Sequence, residues 1–164
     1  MSTRRKQPGG WAKKRYMPRS ANGRVLCRRC AKEVEPPRRT FCSDNCVHEW
    51  RLRSDPGYLR DQVFRRDKGV CCLCGLNTVQ LSSALRKLNW RGRQRRCSEL
   101  GVPVSRIKAL WDADHIVPVV EGGGECSLAN MRTLCIPCHK RVTAELRQKL
   151  KDQQEGQQFA GFAT

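Results

Sequence analysis

Apolar residues come in short groups along this chain, and the spacing within each group predicts an element. From Ser43, a capping residue, Val47, Trp50 and Leu52 form the apolar side of a helix. Asp55-Pro56 offers a cap and a first-turn proline for a second helix, with Tyr58, Leu59, Val63 and Phe64 as its stripe and Lys68-Gly69 as its end. Val79, Leu81, Leu85 and Leu88 predict a third helix, and Val104, Ile107 and Leu110 a fourth. Residues 112–134 read as a strand, a long loop and a second strand. Gly122-Gly123-Gly124 lies in that loop, and with no Lys-Ser/Thr after it the triplet reads as a turn, not a phosphate cradle. From Ile136 onward, Val142, Leu146 and Leu150 recur on one side of a helix of about four turns. The polar residues after Lys151 are expected to fray.

Composition narrows the picture. Apolar residues are 38 % of the 164 and aromatics 6 %, so no large core can form, and a fragment of this kind needs metals or disulfides. Of the eleven cysteines, eight fall into pairs: Cys27-x2-Cys30, Cys42-x3-Cys46, Cys71-x2-Cys74 and Cys135-x2-Cys138. An odd count and no secretory signal argue for thiolates on zinc in a reducing, intracellular compartment, cytoplasm with nucleoid or nucleus. Cys27, Cys30, Cys42 and Cys46 make one expected structural zinc site, with His48 as an alternative to Cys46. Cys71, Cys74, Cys135 and Cys138 make a second, whose four ligands leave no open position. Such binding is worth ~10–16 kcal/mol, more than a small core supplies. Cys72 is spare and is expected to be buried as a small apolar residue.

Thirty-three basic against fifteen acidic residues leave a net charge of +18, which makes a polyanion the default partner. Nucleic acid fits best. No apolar run approaches the ~20 residues of a membrane span, and no basic helix has a strong apolar face, so a membrane is not expected as partner. Candidate nucleic-acid contacts are Lys13, Lys14 and Arg15 in the N-terminal arm, where Trp11 and Tyr16 can stack on bases. Arg91, Arg93, Arg95 and Arg96 in a basic segment, and Lys140 and Arg141 after the last cysteine, complete the set.

The candidate chemistry lies between residues 111 and 143. His139 follows the zinc ligand Cys138 and is turned about 100° from it around the helix, so it is placed by that zinc without sharing it. With Asp114 it makes a mixed oxygen and nitrogen site that leaves positions for water and phosphate, as a catalytic cation requires. His115, neutral near pH 7, can take a proton from an attacking water. Neighbours on a regular strand face opposite ways, so Asp114 and His115 serve one site only if the strand is irregular there. Asn130 reads as a loop-fixing group.

These residues carry a resemblance. Asp114-His115-Ile116-x-Pro118, Asn130 and Leu134-Cys135-x2-Cys138-His139 resemble the motif of the HNH, or ββα-metal, endonuclease family. The segment RRDKGVCCLCG is similar to the lead-in of its zinc-containing members, and FCSDNC to FCS-type zinc knuckles. Within the family, residues 111–143 are most similar to the HNH module attached to a eukaryotic strand-annealing helicase. The resemblance implies His115 as general base, Asp114 and His139 as ligands of one divalent ion, and Asn130 as the middle motif residue. It implies cleavage of DNA, whether duplex, nicked or branched, to 5′-phosphate and 3′-hydroxyl ends. The ion is expected to be Mg²⁺ or Mn²⁺, with Zn²⁺ or Ni²⁺ as alternatives. Thr143 stands where a third imidazole would lie one turn past His139.

The expected fold is a small zinc-stabilised α+β protein with a treble-clef-like ββα-metal core. Its parts are a basic flexible arm (1–24), a four-cysteine zinc module with a helix (25–53), an HNH nuclease domain (54–151) with a helical insertion (76–110), and a polar tail (152–164). A reading from another class makes the chain a non-catalytic, zinc-stabilised nucleic-acid-binding or adaptor module, its N-terminal zinc module being a surface for a protein partner.

Overall fold

The structure, a computed structural model, describes residues 17–124 and 127–160. Trp11, Lys13, Lys14, Arg15 and Tyr16 lie outside the described residues. The fold is α+β: helices α1 (Asp44–Ser54), α2 (Pro56–Asp67), α3 (Thr78–Lys87) and α4 (Trp90–Glu99), strands β1 (Trp111–His115) and β2 (Met131–Cys135), and helix α5 (Ile136–Ala160). The two strands pair as one sheet. The chain divides into two compact units, residues 1–65 with 115–131 and residues 66–114 with 132–164.

The first unit folds around thiols. Cys27, Val34 and Cys46 are buried together, with Phe41 and Cys42 against them. The Ser43 hydroxyl caps α1 by accepting from the Cys46 amide at 3.2 Å. The buried side of α1 is Cys46 and Leu52, not the expected Val47 and Trp50, which are half-buried. Cysteine displaces them because this helix packs against the four-cysteine cluster, while the Trp50 ring carries the Arg28 guanidinium at 4.3 Å on its face. At the start of α2, Asp55 Oδ1 accepts from the Tyr58 amide at 3.0 Å. Leu59 and Val63 are buried, whereas Phe64 is exposed and leaves the expected stripe.

The second unit has a small aliphatic core. Leu85, Cys97, Val102, Ile107, Leu110 and Ile136 pack together, with Leu81, Leu100 and Val104 at the margin. Asn77 caps α3 by accepting from the Val79 and Gln80 amides. Val79 and Leu88, expected on the apolar side of α3, are 45 % and 39 % exposed. The fourth helix is not at 104–110 but at the basic segment, where Asn89 caps α4 through the Gly92 amide at 2.9 Å. Residues Val104–Arg106 form a single 3₁₀ turn. A spacing of three matches the 3₁₀ period, so Val104, Ile107 and Leu110 reach one core without an α-helix. Helix α5 runs to Ala160, past the expected fraying point. Pairs such as Gln148 with Asp152 (2.8 Å) and Lys151 with Glu155 (3.6 Å) carry it onward. Among the described residues no helix is long and apolar enough to cross a membrane.

Candidate active site

Four sulfurs of the second unit anchor the region. Cys71, Cys74, Cys135 and Cys138 each present Sγ within 4.8 Å of the others, and the Cys74–Cys135 separation is 3.6 Å. Sulfurs bound ~2.3 Å from a tetrahedral zinc lie ~3.8 Å apart, so the group fits that ion. Burial pushes the Cys71 thiol up. The amides of Cys135, Cys74 and Leu73 and the Cys74 thiol outweigh it and bring Cys71 down to about 6. Cys135 is pushed far up, first by burial. Zinc binds thiolates, so a divalent cation entering this cluster displaces thiol protons. Cys72 is exposed, contrary to the expectation that it is buried: its amide donates to Thr133 O at 3.0 Å, and the turn leaves its thiol outside the cluster.

The first unit repeats the device. Cys27, Cys30, Cys42 and Cys46 converge within the same limit, with the Cys30–Cys42, Cys42–Cys46 and Cys46–Cys30 sulfurs 3.4, 3.5 and 3.7 Å apart. Burial raises Cys27, but the Cys30, Cys42 and Arg29 amides and the Cys30 thiol lower it to about 6. Hydrogen bonds with the Cys30 and Cys46 thiols push Cys42 up to about 12. Cys46 completes this group. His48 is engaged elsewhere, its Nδ1 2.8 Å from the Tyr58 hydroxyl.

Beside the second cluster, the first turn of α5 presents His139 to the start of the sheet. Its Nε2 lies 3.8 Å from Asp114 Oδ1 and its Nδ1 3.6 Å from Asp112 Oδ2. Strand alternation puts Asp112 and Asp114 on one face, and both carboxylates therefore reach the same ring. The other oxygen of Asp114, Oδ2, accepts from Arg132 Nε at 3.0 Å and lies 2.9 Å from Arg132 Nη2. Asp114 thus has one oxygen tied to a guanidinium and one facing His139. Two donors each ~2.1 Å from one cation stand at most ~4.2 Å apart. The 3.8 Å gap between Asp114 Oδ1 and His139 Nε2 is within that span.

In the first unit, the loop after β1 is tied by one side chain. Asn130 Oδ1 accepts from the Val117 amide at 2.8 Å, and its Nδ2 donates to Val117 O and Gly123 O, each at 3.1 Å. The Ile116 amide donates to Asn130 O at 2.8 Å. A Cβ on Gly123 would stand 1.8 Å from Val117 O, so only glycine permits this approach. His115 is the last residue of β1 and half-buried; the regular strand ends with it, and the chain bends at Ile116.

Residues 95–145, which run from α4 through the sheet into α5, match the model of the HNH endonuclease family. The chain belongs to the HNH endonuclease family. Its similarity to curated proteins points the same way. The DNA annealing helicase and endonuclease ZRANB3 of Mus musculus is 36 % identical over 144 residues, 75 % of this chain and 14 % of that protein. The Homo sapiens protein of that name is 34 % identical over 143 residues, 74 % and 13 % respectively. The chain spans about a seventh of the length of these relatives. The crystal structure of the human ZRANB3 HNH domain aligns at 34 % identity and a TM-score of 0.48, covering 60 % of this chain and 97 % of that one.

Within the HNH region the structure brings Asp114 and His139 together, and it places Asn130 on the loop that follows His115. Two residues escaped the sequence reading: Asp112 and Arg132. The period of two sets each on the same face as a residue already noted on its strand, but gives neither of them a role. Among the expected DNA contacts, Arg91, Arg95 and Arg96 are exposed along α4 and Lys140 and Arg141 along α5. Lys140 Nζ also donates to Gly101 O at 3.2 Å while staying exposed, whereas Arg93 is half-buried and more firmly engaged. Its guanidinium donates to the carbonyls of Leu85, Arg86 and Leu88 and closes the C-terminal end of α3.

Proposed function

We propose that this HNH chain hydrolyses DNA phosphodiester bonds with one divalent cation held by Asp114 and His139, His115 being the general base. The observation that carries the reading is the 3.8 Å approach of His139 Nε2 to Asp114 Oδ1, which matches two ligands of one open site. Arg132 fixes the Asp114 carboxylate, leaving Oδ1 for the cation. A bound Mg²⁺ or Mn²⁺ supplies a Lewis acid to the phosphate and its departing 3′ oxygen. His115 takes the proton of the attacking water at its unprotonated ring nitrogen, the water oxygen bonds to phosphorus as the phosphorus–O3′ bond breaks, and the departing 3′ oxygen takes a proton from solvent, leaving a 5′-phosphate and a 3′-hydroxyl. Asn130 keeps the backbone after His115 in one shape. Arg91, Arg95, Arg96, Lys140 and Arg141 hold the phosphate backbone on either side. The relatives' names couple DNA annealing with endonuclease, which supports DNA as substrate; a DNA substrate in turn suits a place at the nucleoid or nucleus.

Nicking of supercoiled plasmid in Mg²⁺ or Mn²⁺ tests this. His115→Ala is expected to lose at least about 100-fold in rate, the usual contribution of a positioned base, with DNA affinity unchanged. Undiminished nicking by that variant would defeat the reading and leave a zinc-braced DNA-binding module.

A further inference from the structure

The His139 ring has two nitrogens, and the proposed reaction uses one. A ring that holds a cation through Nε2 must keep its proton on Nδ1, and that proton needs an acceptor to fix the tautomer and the ring angle. Asp112 Oδ2, 3.6 Å from Nδ1, stands on that side. The gap is longer than a hydrogen bond and closes with a small ring rotation. Asp112 is itself held: Arg106 Nη2 donates to its Oδ1 at 2.8 Å, and Arg106 Nε donates to Ala109 O at 3.2 Å. The groups form a line in which Arg106 holds Asp112, Asp112 faces His139, His139 faces Asp114, and Arg132 holds Asp114.

We infer that Asp112 is a positioning residue that accepts the Nδ1 proton of His139 and so aims Nε2 at the cation shared with Asp114. This rests on the metal-dependent reading above. It gives Asp112 a part in the site through the His139 ring and not as a ligand. In the Asp112→Asn variant Arg106 retains the amide oxygen, which turns the amide NH₂ toward Nδ1. The neutral ring then moves its proton to Nε2, the nitrogen needed for the cation.

The test uses the zinc-loaded full chain with ¹⁵N-labelled histidine, at a pH where the rings are neutral. Only three histidines are present, so long-range ¹H–¹⁵N correlations assign each tautomer directly. Free Mn²⁺ is counted by electron paramagnetic resonance in parallel. The expected result is a proton on Nδ1 of His139 in the unaltered chain and on Nε2 in Asp112→Asn. Mn²⁺ affinity should fall about 10- to 100-fold in that variant, with both zinc ions retained and the His48 signal unmoved. His139→Ala calibrates the site. If it keeps full Mn²⁺ affinity, the metal reading itself fails. If it loses that affinity while Asp112→Asn keeps both the Nδ1 proton and affinity within twofold, the positioning role alone is overturned. The near-isosteric amide avoids a folding artefact, and the zinc count checks it.

Discussion

At the scale of single residues, the loop between the strands shows how side-chain chemistry and backbone sterics divide one task. Asn130 supplies both an acceptor and a donor to Val117 and a second donor bond to Gly123, which mimics a strand partner where the backbone has none. Gly123→Ala forces a methyl group against Val117 O. It is expected to cost about 1–3 kcal/mol in urea unfolding and to slow plasmid nicking, with zinc content unchanged. Asn130 was legible in the sequence as a loop-fixing group because an asparagine beside a glycine-rich turn has few other uses. Asp112 and Arg132 were not legible. An acid and an arginine on strands satisfy no motif, and only the pairing geometry shows that they bracket Asp114 and His139.

At the scale of elements, a polar contact joins the end of α2 to β2. Thr133, fully buried, donates its hydroxyl to Asp67 Oδ2 at 2.9 Å, and Arg66 pairs with the same carboxylate. The Arg66 hydrogen bond first, and the Thr133 hydroxyl and amide after it, hold the Asp67 carboxyl below its ordinary value. A carboxyl lowered in the native state stabilises the fold above its unfolded pKa of about 3.9 and loses that contribution as pH falls further. Asp67→Asn is therefore expected to be less stable than the unaltered chain by roughly 1–2 kcal/mol at neutral pH, and the difference should shrink below about pH 4. Urea midpoints across a pH series check it. Caps made the first two helices readable, since Ser43 and Asp55 stand directly before apolar stripes. The third and fourth were harder. Asn77 and Asn89 are equally good caps, but α4 buries only Cys97 among arginines, and apolar periodicity cannot announce a helix with one buried residue. The run at 104–110 misled in the opposite sense, because its three-residue spacing belongs to a turn.

For the molecule as a whole, metals and charge set the terms. Each unit has a four-sulfur cluster in or beside its core that could hold a zinc ion, so these cysteines are core contacts as well as candidate ligands. Chelation is expected to release two zinc ions per chain and abolish the cooperative unfolding transition, read by circular dichroism alongside a colorimetric zinc assay. The charge of +18 predicts steeply salt-dependent DNA binding. Arg91→Ala and Arg95→Ala are each expected to reduce the slope of log K against log salt by about 1, whatever the DNA sequence. Arg93→Ala should leave that slope alone and lower thermal stability instead. Cysteine spacing made this global plan readable, because thiolates tolerate few arrangements around zinc. The destination of each arginine was not readable, because a guanidinium serves a carbonyl, a carboxylate or a phosphate with the same fork.

One peptide bond separates Cys138, one of the four clustered sulfurs, from His139, which faces Asp114. Under the proposed function, nicking is therefore expected only from copies that have taken up zinc, and oxidation of one of these sulfurs should silence it along with the fold.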